Sequence, residues 1–530
     1  MAALNWTKLL SETRLPSPKV GPESAEAGPG SEERPADGPS SEPPVVQHRT
    51  AAERDHDRIL FATPTRRLGD KTQVFPLERN ESVCTRLTHS HEVSNLARSC
   101  GTSLVYGPLW SRIKEDLPNT DAAHDNARRS IPAMLAAVGL AHDIGNPPFG
   151  HQGESAIRQW VFDNESRIFK VSKKERKRLG GEGTKEIQKD LDLLDSRHKT
   201  DFRKFEGNAQ SLRTVSRLQV VKDGRGLNLS FGTLAALMKY TVGSTDAVKK
   251  DKNASRRKVG IYASEERLAN EVRQETGLAA GVRHPLTFLM EACDDIAYSI
   301  VDAEDAVKKG IVSFADLMAW IKAHEFRSDR VVAELVGDVE KDCVFPAKLA
   351  LPPSERDDVS MQIFRTRAMG VMIGAVLTRF EAGYDEIMDG KFEAPLVDAS
   401  DAFKLCEVLK EFDRLYAYRN RQVLEIELRG FNTLHGLMTL LWRGITEREK
   451  FFDPASERTS PFARYAYGRI SENYKRVFEG RTGEGGCNET LPMRYRELQL
   501  LTDMVAGMTD QYAMDMYKEL SEFHVGASAH

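Results

Sequence analysis

The stretch from Ile131 to Ala141 is the longest apolar run in the chain, and it leads straight into His142 and Asp143. At 11 residues it is far short of the ~20 needed to cross a bilayer, so it reads as a helix buried inside a globular fold. Ser130 is expected as its N-cap, with Pro132 in the first turn. Beyond the His-Asp pair, Gly145, Asn146, Pro147, Pro148 and Gly150 force an irregular loop. That loop returns His151 and Glu154 toward the same point. Two histidines and two carboxylates delivered by a buried helix and a constrained loop are costly to assemble unless they build a site.

From about residue 50 the apolar spacing is helical almost throughout, and a mainly α, multi-helix fold is expected. One or two short β-hairpins are the exceptions, at 217–231 around Asp223-Gly224-Arg225-Gly226 and near Lys258 to Tyr262. Residues 1–12 suit one short amphipathic helix carrying Leu4, Trp6, Leu9 and Leu10. Residues 13–48 are rich in Pro, Gly, Ser and Glu and read as a disordered linker or insertion. Residues 49–310 hold the chemistry, with a charged helical excursion at 164–206 that is either a solvated arm or a basic arm near an anionic substrate. Residues 311–530 are again helical and are expected to complete the core and the oligomer interface.

The net charge of -4 excludes neither an anionic substrate nor nucleic acid, because a site needs only local charge. Six cysteines without a Cys-x-x-Cys pair argue against a zinc ribbon or a disulfide framework. With no membrane span and no secretory leader pattern, a cytoplasmic location is expected.

Two adjacent ligands do not close a metal site, so partners must come from other helices. TRLTHSHEVSNLARSCG (85–101) spaces Val93, Leu96, Ala97 and Cys100 on one helical face, with His89 and Glu92 near its start and Gly101 as its stop. His91 falls about 200° away from His89 and is placed on the surface. In 284–310, Asp294, Tyr298 and Asp302 recur every fourth residue as a polar stripe on an otherwise apolar helix. Asp295 and Asp305 belong to other faces, where solvation or ion pairing is expected. His89, His142, Asp143 and Asp294 form an H…HD…D set from three helices. Two imidazoles and two carboxylates suit one divalent cation, manganese, magnesium or iron, and leave positions for water and substrate.

At these residues the chain resembles the HD superfamily of metal-dependent phosphohydrolases, and more narrowly the bacterial dGTP triphosphohydrolase (dNTPase) family. The resemblance runs through RRLGDKTQVFPLERNESVCTRLTHSHEV (66–93), HDIGNPPFGHQGE (142–154), EGNAQSLR (206–213), MKY (238–240) and MEACDDIAYSIVDAEDAV (290–307), in that order. It implies an HD-domain fold with His89, His142, Asp143 and Asp294 as metal ligands. It implies His151 and Glu154 as the catalytic pair and Arg86 as the α-phosphate arginine. Gln73 would contact sugar or base, and Tyr298 and Asp302 would face the deoxyribose. Asn208, Arg213, Lys239 and Tyr240 would form a polar shell around the phosphates. It also implies a dNTP substrate, cleavage to deoxynucleoside and inorganic triphosphate, and a homo-oligomer, often a hexamer.

Two other functions fit parts of the pattern. Another HD phosphohydrolase, acting on a nucleoside monophosphate or a cyclic or signalling nucleotide, shares H…HD…D but not the other blocks. A nucleotide-sensing or nucleic-acid-binding protein, with single-stranded DNA or an allosteric nucleotide as partner, is suggested by the basic clusters at 173–178 and Lys249-Lys250.

Overall fold

A computed structural model of the chain describes residues 3–15, 48–73, 75, 83–219, 225–349, 351–480 and 491–525. Helices dominate these residues, and the only β-type pairings among them are three isolated bridges. Most of the expected linker, 16–47, lies outside the described residues.

The helices that shape the site are α1 (Arg86–Tyr106), α2 (Asp121–Ala141), α3 (Gly150–Asp163), α4 (Lys173–Asp192), α5 (Gly207–Arg213), α6 (Phe231–Leu237), α7 (Pro285–Lys308), α8 (Phe403–Phe412), α9 (Arg421–Thr446) and α10 (Met493–Ala506). Thr85 starts α1 with a capping box, its side chain receiving the Thr88 N–H while Thr88 receives its own. His284 caps α7, with Pro285 at the first helical position.

Two helix boundaries differ from expectation. Helix α2 is capped by Thr120 rather than Ser130, so Pro132 lies inside it. Helix α1 runs on to Tyr106, and Gly101 is interior rather than a stop. One cause explains both. A Cβ at Gly101 would sit 2.8 Å from the Cα of Pro132, and one at Gly139 would sit 2.8 Å from the Cα of Ser94. The glycines let the backbones of α1 and α2 approach closely, and that packing outweighs their poor helix propensity. Ser94 Oγ adds a bond to the Ala136 carbonyl at 2.8 Å.

The expected hairpin at 217–231 is not a hairpin of strands. Thr214–Leu218 forms a π-turn continuing α5, and Ser230 caps α6. A backbone bond joins the two segments, Leu227 N–H to Val215 O at 2.7 Å, while 220–224 lies outside the described residues. The stretch near Lys258–Tyr262 does pair, but as a single parallel bridge from Ile261 to Gly243.

Apolar side chains gather in two main cores. The first includes Trp6, Leu135, Ile144, Leu289 and Phe364; the second includes Phe149, Trp160, Leu441 and Tyr495. The loop after α2 crosses from one to the other between Ile144 and Phe149. Sites commonly form at such seams. The charged excursion is helical, as expected, yet it is anchored rather than wholly solvated. Asp190 accepts the N–H groups of Met493 and Arg494 at 2.6 and 2.9 Å, capping α10, and Glu175 pairs with Arg494 at 2.7 Å.

The N-terminal segment docks into the first core. Trp6 and Leu9 are fully buried, and Trp6 Nε1 donates to the Tyr384 hydroxyl at 2.7 Å. No helix among the described residues is long and apolar enough to cross a membrane.

Candidate functional site

His89 sits one turn into α1, and His142 ends α2. Because the glycines bring these helices together, the two imidazole centroids are 5.4 Å apart. His142 Nδ1 donates to the Gly139 carbonyl at 2.7 Å, which turns Nε2 inward. That Nε2 is buried without a hydrogen-bond partner, 3.4 Å from Asp294 Oδ1 on α7. His89 Nε2 lies 3.3 Å from the same oxygen. One ligand atom from each of His89, His142 and Asp294 falls within 4.8 Å of the others. Asp143 stands beside the group rather than within it: its Oδ1 is 3.6 Å from His142 Nε2 and accepts the Asn146 side-chain amide, and its Oδ2 receives the Arg86 guanidinium.

Burial works against ionisation of these groups, and their mutual charges overcome it. Asp294 is held well below the carboxylate range by His142 and Lys239. Asp143 is lowered against burial by Arg86 and His142. His142, despite burial, is pushed up to about 9 by Asp143 and Asp294. The two carboxylates thus demand positive charge beside His142, a demand that a divalent cation meets when the imidazole is neutral. The sulfur-free donor set and the orphaned Nε2 fit such an ion.

Phe149 and Gly150 have φ of 59° and 55°. The left-handed turn costs energy at a phenylalanine, and Asp510 holds it by accepting the Phe149 N–H at 3.0 Å. The turn launches α3, placing His151 at its first exposed position. His151 Nδ1 faces Glu154 Oε2 at 3.3 Å; the imidazole is 81% exposed and the carboxylate 4%. Glu154 Oε1 accepts the Gly207 N–H at 2.8 Å. Despite burial, its bonds to His151 hold the carboxyl below its usual range.

The metal-ligand, catalytic and substrate-contact residues that the resemblance implies, except Arg213 and Asp302, all line one cavity of about 560 Å³. Gln73 presents a buried, unpartnered Oε1. Lys239 Nζ lies 3.3 Å from Asp294 Oδ2. Asn208, Tyr240 and Tyr298 form part of the wall. Asp302 is fully buried behind Tyr298 and receives the Tyr418 hydroxyl. Arg213 does not join them. It is buried on the far side of α5, bonded twice to Asp503 at 2.8 and 2.7 Å and once to Glu265 at 2.8 Å.

The block around α5 has a role that sequence reasoning missed: it seats the HD loop. Gly145 N–H donates to Ser211 Oγ at 2.9 Å, and Ser211 Oγ donates to the His142 carbonyl at 3.0 Å. A Cβ at Gly207 would lie 1.9 Å from Asn146 Oδ1.

Several wall residues were also missed: Glu206, Lys258, Lys410, Tyr418 and Glu427. Lys410 does answer the expected ion pairing of Asp295, at 3.5 Å. Asp305, by contrast, is buried and accepts the Cys84 N–H at 3.0 Å. Tyr418 follows the π-turn Asp413–Ala417, whose register depends on packing against α7 and carries no local sequence signal.

No protein-family model matches the chain. The chain is 36% identical over 474 residues to a Listeria monocytogenes protein named deoxyguanosinetriphosphate triphosphohydrolase-like protein, covering 89% of this chain and 94% of that one. A Listeria innocua protein of the same name matches equally. A Yersinia pseudotuberculosis protein named deoxyguanosinetriphosphate triphosphohydrolase is 30% identical over 510 residues, covering 92% of this chain and 97% of its own.

Proposed function

Because the chain belongs to the deoxyguanosinetriphosphate triphosphohydrolase family, we propose that it is a metal-dependent hydrolase of deoxynucleoside triphosphates. Water attacks the α-phosphorus, and the products are the deoxynucleoside and intact inorganic triphosphate. One observation carries this reading beyond the family name. The ligand atoms of His89, His142 and Asp294 converge beside Arg86 and Lys239, in the same cavity that holds the His151–Glu154 pair.

His89, His142, Asp143 and Asp294 would hold the metal, with manganese, magnesium or iron suited to the donors. When bound, the ion supplies charge on the α-phosphate oxygen and acidity to a water. Arg86 offers a planar guanidinium to phosphate oxygens, and Lys239 a point charge. Glu154, fixed by Gly207, orients His151 through Nδ1, which leaves Nε2 to exchange a proton with the attacking water or the departing 5′ oxygen. Tyr298 closes on the deoxyribose face, with Asp302 behind it. Gln73 brings an acceptor to the sugar or base, and Asn208 and Tyr240 complete the phosphate wall. Arg213 serves the fold instead.

The homo-oligomer, with a hexamer as its form, belongs to the same proposal. Its support is apolar surface left exposed on α3 and α9, with Phe162 68%, Leu424 51% and Leu428 61% exposed. A cytoplasmic location belongs to it as well.

Incubating the purified protein with each dNTP and manganese or magnesium, followed by chromatography, tests the reaction. Equimolar deoxynucleoside and triphosphate is the expected result. Orthophosphate or pyrophosphate as first product would assign the site to another HD phosphohydrolase.

A further inference from the structure

We propose that a second cavity, between the start of α4 and the C-terminal end of α9, is an anion site that takes a phosphate chain. Its volume is about 260 Å³, below the ~300–1,000 Å³ of pockets that enclose whole small molecules. A bare oligophosphate, or the phosphate tail of a nucleotide whose remainder stays outside, suits that size.

The lining is cationic beyond what its carboxylates balance. Arg167, Lys174, Arg178 and Arg443 face it, against Glu175 and Glu447. Both carboxylates are engaged: Glu175 with Arg494 at 2.7 Å, and Glu447 with Arg443 at 2.8 Å. Among the described residues, neither Lys174 nor Arg178 has an ion-pair partner. Arg167 has only the Asn164 side-chain oxygen, at 3.2 Å. Arg178 is the informative group. It is half-buried, donates one bond to the Thr446 carbonyl at 2.9 Å, and keeps a buried Nε with no acceptor. A partly desolvated guanidinium with open donors calls for an anion, and phosphate oxygens match its fork. Trp442 supplies one apolar wall.

The site is separate from the catalytic cavity yet built on the same helices. Val423 and Glu427 at the start of α9 line the first cavity, whereas Trp442, Arg443 and Thr446 line the second. Fifteen residues from Glu427 to Trp442 at 1.5 Å each place them about 22 Å apart. Trp160, on the catalytic helix α3, packs edge-on against Trp442 at 5.8 Å. This basic segment is thus part of a formed cavity and not simply a solvated arm.

Calorimetric titration of inorganic triphosphate into the full chain, in chelator, tests the proposal, with a parallel titration of dATP. Two sites per chain are expected in the unaltered protein. Arg178→Gln should remove one of them, weakening it at least tenfold, while Arg178→Lys keeps it within a few-fold. Arg86→Ala should weaken the other site and spare this one. Higher salt should weaken binding at both. Equal affinity for triphosphate and dATP identifies the bare chain as sufficient. Tighter dATP identifies a nucleotide tail. If Arg178→Gln proves unstable by thermal unfolding, the double variant Arg167→Gln with Lys174→Gln, both at exposed positions, takes its place. A single site that Arg86→Ala removes and Arg178→Gln leaves intact, or two sites untouched by the Arg178, Arg167 and Lys174 variants, overturns the proposal. A single site lost in Arg178→Gln and kept in Arg86→Ala overturns only the triphosphate reading of the first cavity.

Discussion

Glu154 binds Gly207 through one carboxylate oxygen at 2.8 Å and His151 through the other at 3.3 Å. A backbone amide from a separate helix thereby fixes the group that orients the exposed imidazole. Glu154→Gln keeps the size and the acceptor for Gly207 but turns an amide toward His151. We expect kcat to fall about 100-fold, with metal content unchanged. A loss below threefold in steady-state kinetics would remove the pair from the mechanism.

Metal content separates ligand from catalyst. His89→Ala, His142→Ala and Asp294→Ala should each lower the bound metal measured by elemental analysis after dialysis. His151→Ala should abolish turnover while leaving metal near one per chain. Metal lost from the last variant would show that the roles have been confused.

The close approach of α1 and α2 depends on glycine. A Cβ at Gly101 meets the Pro132 backbone at 2.8 Å, which cannot move aside as a flexible side chain could. Gly101→Ala should destabilise by about 1–3 kcal/mol and weaken metal affinity as His89 shifts from His142. Unfolding midpoints and metal titration of the variant check both effects; unchanged values would mean the helices are free to slide.

His284 ties the N-terminal segment to the cap of α7. Its Nε2 donates to the Leu9 carbonyl at 3.1 Å and its Nδ1 accepts the Leu286 N–H at 3.1 Å, so only the neutral ring satisfies both. Burial pushes its pKa down to about 4 from 6.5, although the Leu9 bond opposes the shift. The folded state binds the proton less well than the unfolded chain. The stability from this group is therefore present above pH 6.5 and lost as the pH falls toward 4. Its share amounts to about 2 kcal/mol between pH 7 and pH 5. Denaturant unfolding at the two pH values should show His284→Gln losing less stability than the unaltered protein, by roughly that amount. Equal losses would contradict the assignment.

The HD loop shows how far local sequence can be read. Pro147, Pro148 and Gly150 restrict the backbone wherever they occur, and the apolar run before them predicts burial, so the placement of His142 and His151 followed from local rules. The four-residue stripe of Asp294, Tyr298 and Asp302 was legible for the same reason. Gly101 misled because an interior glycine and a helix stop look alike until the neighbouring helix is present. Arg213 illustrates the opposite limit. An arginine close to Asn208, Gln210 and Ser211 suits phosphate equally well in the sequence, and only Asp503, 290 residues away along the chain, shows it occupied.

By itself the sequence determined the helical class, the metal-competent residues and the loop that carries His151 and Glu154, since periodicity and special backbone residues act over a few positions. The tertiary structure alone decided which carboxylate oxygens meet which basic side chain, which of α5's side chains face the cavity, and that Lys410, Tyr418 and Glu427 line it. Those outcomes depend on contacts between segments hundreds of residues apart, whose energies arise only once the two cores have formed around the loop.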